Sequence, residues 1–223
     1  FTLNDTTVEA QPGETIWQVS KRLGIEIPHL CYAPDPGYRA DGNCRACMVE
    51  IAGERVLAAS CIRTPTEGMK VNTASDRARN ARKMVFEMLV ADQPAREVAH
   101  DQQSKFWNWA DKVAVSESRL PAHGRIAPDS SHTAMAVNLD ACINCNLCVR
   151  ACREVQVNDV IGMAYRGHGS KVVFDFDDPM GNSTCVACGE CVQACPTGAL
   201  MESALVDENG VGRTEALREV DSV

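Results

Sequence analysis

The chain has 223 residues, 45% of them hydrophobic and 23% charged, with 22 basic against 30 acidic side chains and a net charge of −8. That composition excludes a wholly disordered chain and argues against nucleic-acid binding as the main task. No apolar run is long enough to span a bilayer. The outlier is cysteine, 12 in all, with aromatics at only 5%. No apolar secretory segment opens the sequence, so a disulfide framework is not the expectation, and thiols in a reducing compartment point to metal. Phe1 at the start and Leu217 to Val223 at the end read as a piece of something longer.

Residues 1–73 read as a small mixed unit. Phe1, Leu3 and Val8 suggest a short strand pair turning at Asn4-Asp5. Ile16, Val19 and Leu23 share a helical face that Gly24 ends. Met48–Ile51 and Val56–Ala59 form a hairpin around Ala52-Gly53, and Met69–Val71 supplies a last strand. Residues 74–134 read as a helical connector and linker. One helix covers 75–92 from an N-cap at Ser75 or Asp76. Ala81, Val85, Met88 and Leu89 lie on its buried face, and Arg77, Arg79, Arg82 and Lys83 are solvated. A second helix runs from Ser104 to Val115, and 117–133, with Pro121, Gly124 and Pro128, is a linker. Residues 135–205 form a third unit with an internal repeat, and Lys171–Phe176 alternates as a strand between its two copies. The acidic stretch 206–223 reads as a further linker.

The repeat carries the chemistry. Cys142, Cys145, Cys148 and Cys152 are spaced C-x2-C-x2-C-x3-C, and Cys185, Cys188, Cys191 and Cys195 repeat the spacing with Pro196 closing it. This is the bacterial-type [4Fe–4S] run, in which the fourth cysteine ligates the other cluster. Three thiolates on a tight loop cap three irons of one cube, and a helix carries the fourth towards its neighbour. One cluster then takes Cys142, Cys145, Cys148 and Cys195, the other Cys185, Cys188, Cys191 and Cys152. Zinc wants four ligands per tetrahedral site, which two triplets with a trailing fourth fit poorly. The remaining cysteines, Cys31, Cys44, Cys47 and Cys61, are spaced C-x12-C-x2-C-x13-C. This resembles the plant-type [2Fe–2S] pattern with its first gap stretched. Structural zinc fits that spacing taken alone; two cubane sites downstream favour iron–sulfur.

Pro28-His29-Leu30-Cys31, Asp41-Gly42-Asn43-Cys44-Arg45-Ala46-Cys47-Met48-Val49-Glu50 and Ala59-Ser60-Cys61 resemble the β-grasp [2Fe–2S] domain of a known group. The group includes the large iron–sulfur subunit of respiratory complex I, the small diaphorase subunit of NAD-reducing hydrogenases, and iron-only hydrogenases. With Asn138 to Cys142, Arg150 to Gln156 and Thr184 to Cys191 added, the chain resembles the N-terminal region of the α subunit of molybdenum- or tungsten-dependent NAD+ formate dehydrogenases. That resemblance implies an α+β chain: a β-grasp [2Fe–2S] ferredoxin-like domain, a helical linker, then a bacterial-type 2[4Fe–4S] ferredoxin-like domain. It implies a cytoplasmic electron conduit between a downstream Mo/W-bis-pterin, formate-oxidising domain and a diaphorase subunit carrying FMN and NAD. This segment would be non-catalytic, with neither nucleic acid nor membrane as partner. A diaphorase small subunit of a hydrogenase, or a complex I-like electron-transfer subunit, is the alternative. Many relatives carry a further His-x3-Cys-x2-Cys-x5-Cys site. Here His100 is followed by Ser104, Trp107 and Val113, so no cluster is expected there. His100 reads as a surface or capping residue, and Trp107 and Trp109 as packing residues. No dinucleotide fingerprint, Walker loop or nucleophile elbow is present.

Overall fold

The computed structural model describes residues 1–122, 124–207 and 209–213. Strands β1 (Thr2–Leu3) and β2 (Thr6–Thr7) pair across Asn4 (φ 48°) and Asp5 (φ 67°), the left-handed pair that a two-residue hairpin requires. Helix α1 (Ile16–Arg22) starts from a reciprocal capping box between Thr15 and Gln18. It buries Ile16, Trp17 and Val19. Leu23, expected on that face, is 44% exposed: the helix stops at Arg22 and Gly24 (φ 74°) turns the chain away. Strands β3 (Met48–Ile51), β4 (Ala58–Ala59) and β5 (Lys70–Asn72) complete a sheet of order β2-β1-β5-β3-β4, with β1 parallel to β5 and the other pairs antiparallel. The expected strand from Val56 begins only at Ala58, because the turn at Gly53 runs on through an irregular segment. Val56 is exposed.

Helix α2 (Asp76–Asp92) is capped by Ser75, whose hydroxyl accepts the Ala78 N–H. Its buried face is Ala78, Arg82, Phe86 and Ala91, not the expected stripe through Met88, which is exposed. Arg82 causes the difference. Its Nε–H donates to the Met48 carbonyl at 2.8 Å, so this arginine lies against the sheet instead of in water. Helix α3 (Lys105–Lys112), capped by Ser104, buries Phe106, Trp107 and Ala110. Phe106 stacks on Phe86 at 5.8 Å, and Trp107 is packed in the same cluster.

The remaining elements are β6 (Met135–Val137), α4 (Leu147–Arg150), β7 (Ile161–Ala164), β8 (Lys171–Phe174), α5 (Glu190–Ala194) and β9 (Leu200–Glu202). β6 pairs with β9 and β7 with β8, both antiparallel, and α4 packs against α5, with α4 also touching β7 and α5 touching β9. A π-helical turn, Ala151–Val155, follows α4 directly. The strand expected to reach Phe176 ends at Phe174. Asp175 (φ 48°) and Asp177 (φ 75°) break the extended backbone, leaving Phe176 98% exposed. The expected linker 206–223 folds back over its described part, with Val206 bridging Gly212 and the Gly212 N–H donating to Ala99 O at 3.1 Å; residues 214–223 lie outside the described residues. No helix among the described residues is long and apolar enough to cross a membrane.

Candidate metal centres

The structure brings Cys31, Cys44, Cys47 and Cys61 together at one end of the first sheet. Cys31 and Cys44 exchange N–H···S contacts, each 3.4 Å. Cys47 precedes β3 and Cys61 follows β4, and their loops are tied because Ser60 donates both its N–H and its hydroxyl to the Cys47 carbonyl, at 3.2 and 2.8 Å. The thiols perturb one another. Cys44 and then Cys61 pull the Cys31 thiol down, and Cys61 pulls Cys47 down. Cys44 and Cys61 are pushed up in turn, chiefly by Cys31. The loop between Cys31 and Cys44 closes through Gly42 (φ 66°), where an added Cβ would sit 2.8 Å from the Ile62 side chain.

The two later quartets lie close together in space. Cys142, Cys145, Cys148 and Cys195 line one apolar hollow with Leu139, Ile143 and Pro196. Cys191 lies within electrostatic reach of Cys185, Cys188, Cys152 and, last, Cys195; burial first, then these thiols, push it up to about 12. The repeat is also one of backbone shape. Asn144 (φ 51°) and Asn146 (φ 63°) stand where Ala187 (φ 58°) and Gly189 (φ 79°) stand in the second copy. The Asn144 and Ala187 N–H groups each point at the sulfur two residues back, at 3.4 Å. Val160 N–H reaches Cys152 Sγ at 3.3 Å. Cys188 alone of the twelve is exposed.

This donor set fits iron–sulfur clusters. Burial drives the Cys142 thiol up to about 12 and raises Cys145 and Cys148 as well, so these thiolates need cationic iron to form. Amide N–H groups aimed at the sulfurs are the neighbours that raise a cluster's potential. Among the described residues no group of three or more His, Cys, Asp or Glu side chains is arranged to hold a single metal ion. Cys142, Cys145, Cys148 and Cys195 ring a hollow, as a polynuclear cluster requires. Clusters, when bound, supply one-electron storage; the protein supplies spacing, insulation and electrostatics.

His100 is a correction. It is 1% exposed, with Nδ1 3.2 Å from the Gly198 carbonyl and Gly210 packed against Nε2. Ser104 spends its hydroxyl on capping α3, Trp107 fills the core and Val113 ends the helix, so the ring is enclosed by packing. Arg150 belongs to a motif that carries the resemblance, but the sequence assigns it no role. It is among the largest fully buried side chains, yet nothing in its local pattern separates it from a solvated arginine.

The 2Fe-2S iron-sulfur cluster binding domain model matches residues 1–76, and the 4Fe-4S dicluster domain model matches residues 141–199. The chain is 32% identical to the NADP-reducing hydrogenase subunit HndD of Solidesulfovibrio fructosivorans, over all of this chain and 38% of that protein. It is 31% identical to a component of the NADH-quinone oxidoreductase of Rhizobium meliloti, over 90% of this chain and 23% of that one. A candidate formate dehydrogenase of Staphylococcus haemolyticus is 26% identical, over 90% and 20%. The chain therefore spans between a fifth and two fifths of these relatives. A chain of a solved NAD+-reducing [NiFe]-hydrogenase in the H2-reduced state superposes with a TM-score of 0.80 at 26% identity, over 91% of this chain and 86% of that one. A [2Fe–2S] domain followed by a 4Fe–4S dicluster domain is thus the organisation of this chain.

Proposed function

We propose that this chain, an iron–sulfur electron-transfer segment of that oxidoreductase group, conducts electrons within a cytoplasmic NAD-dependent formate dehydrogenase. Formate oxidised at a Mo/W-bis-pterin centre in a downstream domain would deliver electrons through the clusters to a diaphorase partner with FMN and NAD, and the reverse flow uses the same path. The carrying observation is the contiguity of the thiols. Cys31 and Cys145 share one buried apolar cluster, and Cys148 lies within electrostatic reach of Cys191, so the sites form an unbroken series.

On this reading [2Fe–2S] is held by Cys31, Cys44, Cys47 and Cys61, one cube by Cys142, Cys145, Cys148 and Cys195, and the other by Cys152, Cys185, Cys188 and Cys191. The units would run 1–73, 74–134, 135–205 and 206–223. The motif resemblance and the Staphylococcus relative support the formate assignment. One observation favours the second reading, a hydrogenase-type diaphorase small subunit: the solved hydrogenase chain is covered over 86% of its length.

Purified anaerobically, the 223-residue chain should bind roughly ten irons, bleach with dithionite and reoxidise with an artificial acceptor, yet show no formate:viologen turnover. Near fourteen irons would reveal a fourth cluster, and turnover free of full-length enzyme would end the conduit reading. Formate-dependent NAD+ reduction by the complex carrying this chain, with no hydrogen-dependent reduction, decides between the two assignments.

A further inference from the structure

Arg150 closes α4 between Cys148 and Cys152, and it is 2% exposed. Its Nη2 donates to the Cys31 carbonyl at 2.7 Å and to the Cys145 carbonyl at 3.3 Å. Nη1 donates to the Arg39 carbonyl, and Nε to the Asn146 carbonyl at 3.3 Å. Its charge meets one carboxylate, Asp41 Oδ2, also at 3.3 Å. A single guanidinium therefore joins the backbone of a [2Fe–2S] ligand to that of a first-cube ligand.

The stretched gap between Cys31 and Cys44 makes this possible. Its residues lean across onto the second domain: Tyr38 Oη donates to Glu190 Oε1 at 2.8 Å, Arg39 pairs with Glu154 at 3.0 Å, and Asn43 Nδ2 reaches the Cys145 carbonyl at 3.4 Å. Gly37 passes so close to Val155 that an added Cβ would touch it at 3.4 Å. The extra residues form a clasp, and Arg150 is the group it closes on.

We propose that Arg150 is a positioning residue that sets the reduction potentials of the [2Fe–2S] cluster and the first cube as a pair. Each cluster gains a negative charge on reduction, and a buried cation between them favours that charge on either one. An electron passing between the two stays in the same field, one centre losing what the other gains, so the step remains close to level. Arginine suits the place because its planar fork reaches several carbonyls at once while staying charged. Asp41, half-buried and shared with Arg39, tempers the field.

The proposal rests on the ligand assignment given above, and iron and sulfide analysis tests that assignment separately. In the full chain with its clusters, Arg150→Gln should keep the iron content and lower both potentials, read by EPR-monitored redox titration. The shift expected is about tenfold in the reduction equilibrium, or about 59 mV for one electron. The cube held by the Cys185 triplet should move less, and Arg150→Lys should recover most of the shift. Full iron with both reduction equilibria within threefold of the parent would overturn the proposal, as would an equal shift of all three clusters. Should Arg150→Gln lose iron, Asp41→Asn decides: the uncompensated guanidinium should raise the same two potentials, and no rise overturns the proposal.

Discussion

His100 shows how one side chain can change its meaning once its surroundings are known. Burial holds its imidazole below the ordinary histidine value, and the hydrogen bond to Gly198 only partly offsets this. Folding therefore favours the neutral ring, while the unfolded chain protonates it near pH 6.5. The associated stability is complete above that value and is lost as pH falls below it. Denaturant midpoints measured from pH 7.5 down to 5 should fall, and His100→Ala should flatten that decline. The variant should lose about 1–3 kcal/mol at pH 7.5, since the Gly198 carbonyl is left unpaired, with iron content unchanged. The twelve thiols were legible because spacing along the chain is itself the signal. His100 and Arg82 were not, since their partners, the carbonyls of Gly198 and Met48, lie far away in sequence. Residue type sends both to the surface; only the fold supplies the acceptor that lets them in.

At the scale of elements, α4 and α5 are short carriers that begin within a cysteine triplet and deliver the fourth thiol elsewhere. Cys152 leaves α4 on the π-helical turn towards the second loop, and Cys195 leaves α5 at its C-cap and lines the first hollow. Cys152→Ser should thus damage the cube of Cys185, Cys188 and Cys191, while Cys195→Ser damages that of Cys142, Cys145 and Cys148. EPR of each reduced variant reads which signal is lost, and a quartet that keeps its own cube would refute the crossing. Element types were partly readable: both capped helices of the connector stand where periodicity put them, and the β1–β2 turn falls at Asn4-Asp5. The rotation of α2 was not, because its apolar stripe competes with Arg82, whose hydrogen bond to β3 selects a neighbouring face.

Over the whole molecule, the connector is a strut between the two cluster domains. Phe106 is fully buried, stacks on Phe86 of α2 and donates its backbone N–H to Pro196 at 2.8 Å, directly beside the last cysteine. Phe106→Ala should cost about 3–5 kcal/mol in denaturant unfolding. Iron analysis should show the second domain keeping its clusters, since the bond to Pro196 comes from the backbone and survives the substitution. The sequence marked the two cluster domains, but not the clasp and strut that bind them, which depend on contacts between residues far apart along the chain. Their joining leaves the protection of the clusters unequal. Cys31, Cys47 and Cys61 are sealed, whereas Cys188 faces solvent, with the Asn158 amide 3.8 Å from its sulfur. Attack on thiolates follows their exposure, so dioxygen should enter at the Cys185 triplet. A sample left briefly in air should shed roughly four irons while keeping a [2Fe–2S] spectrum: corrosion will start at one end of the conductor and spare the other.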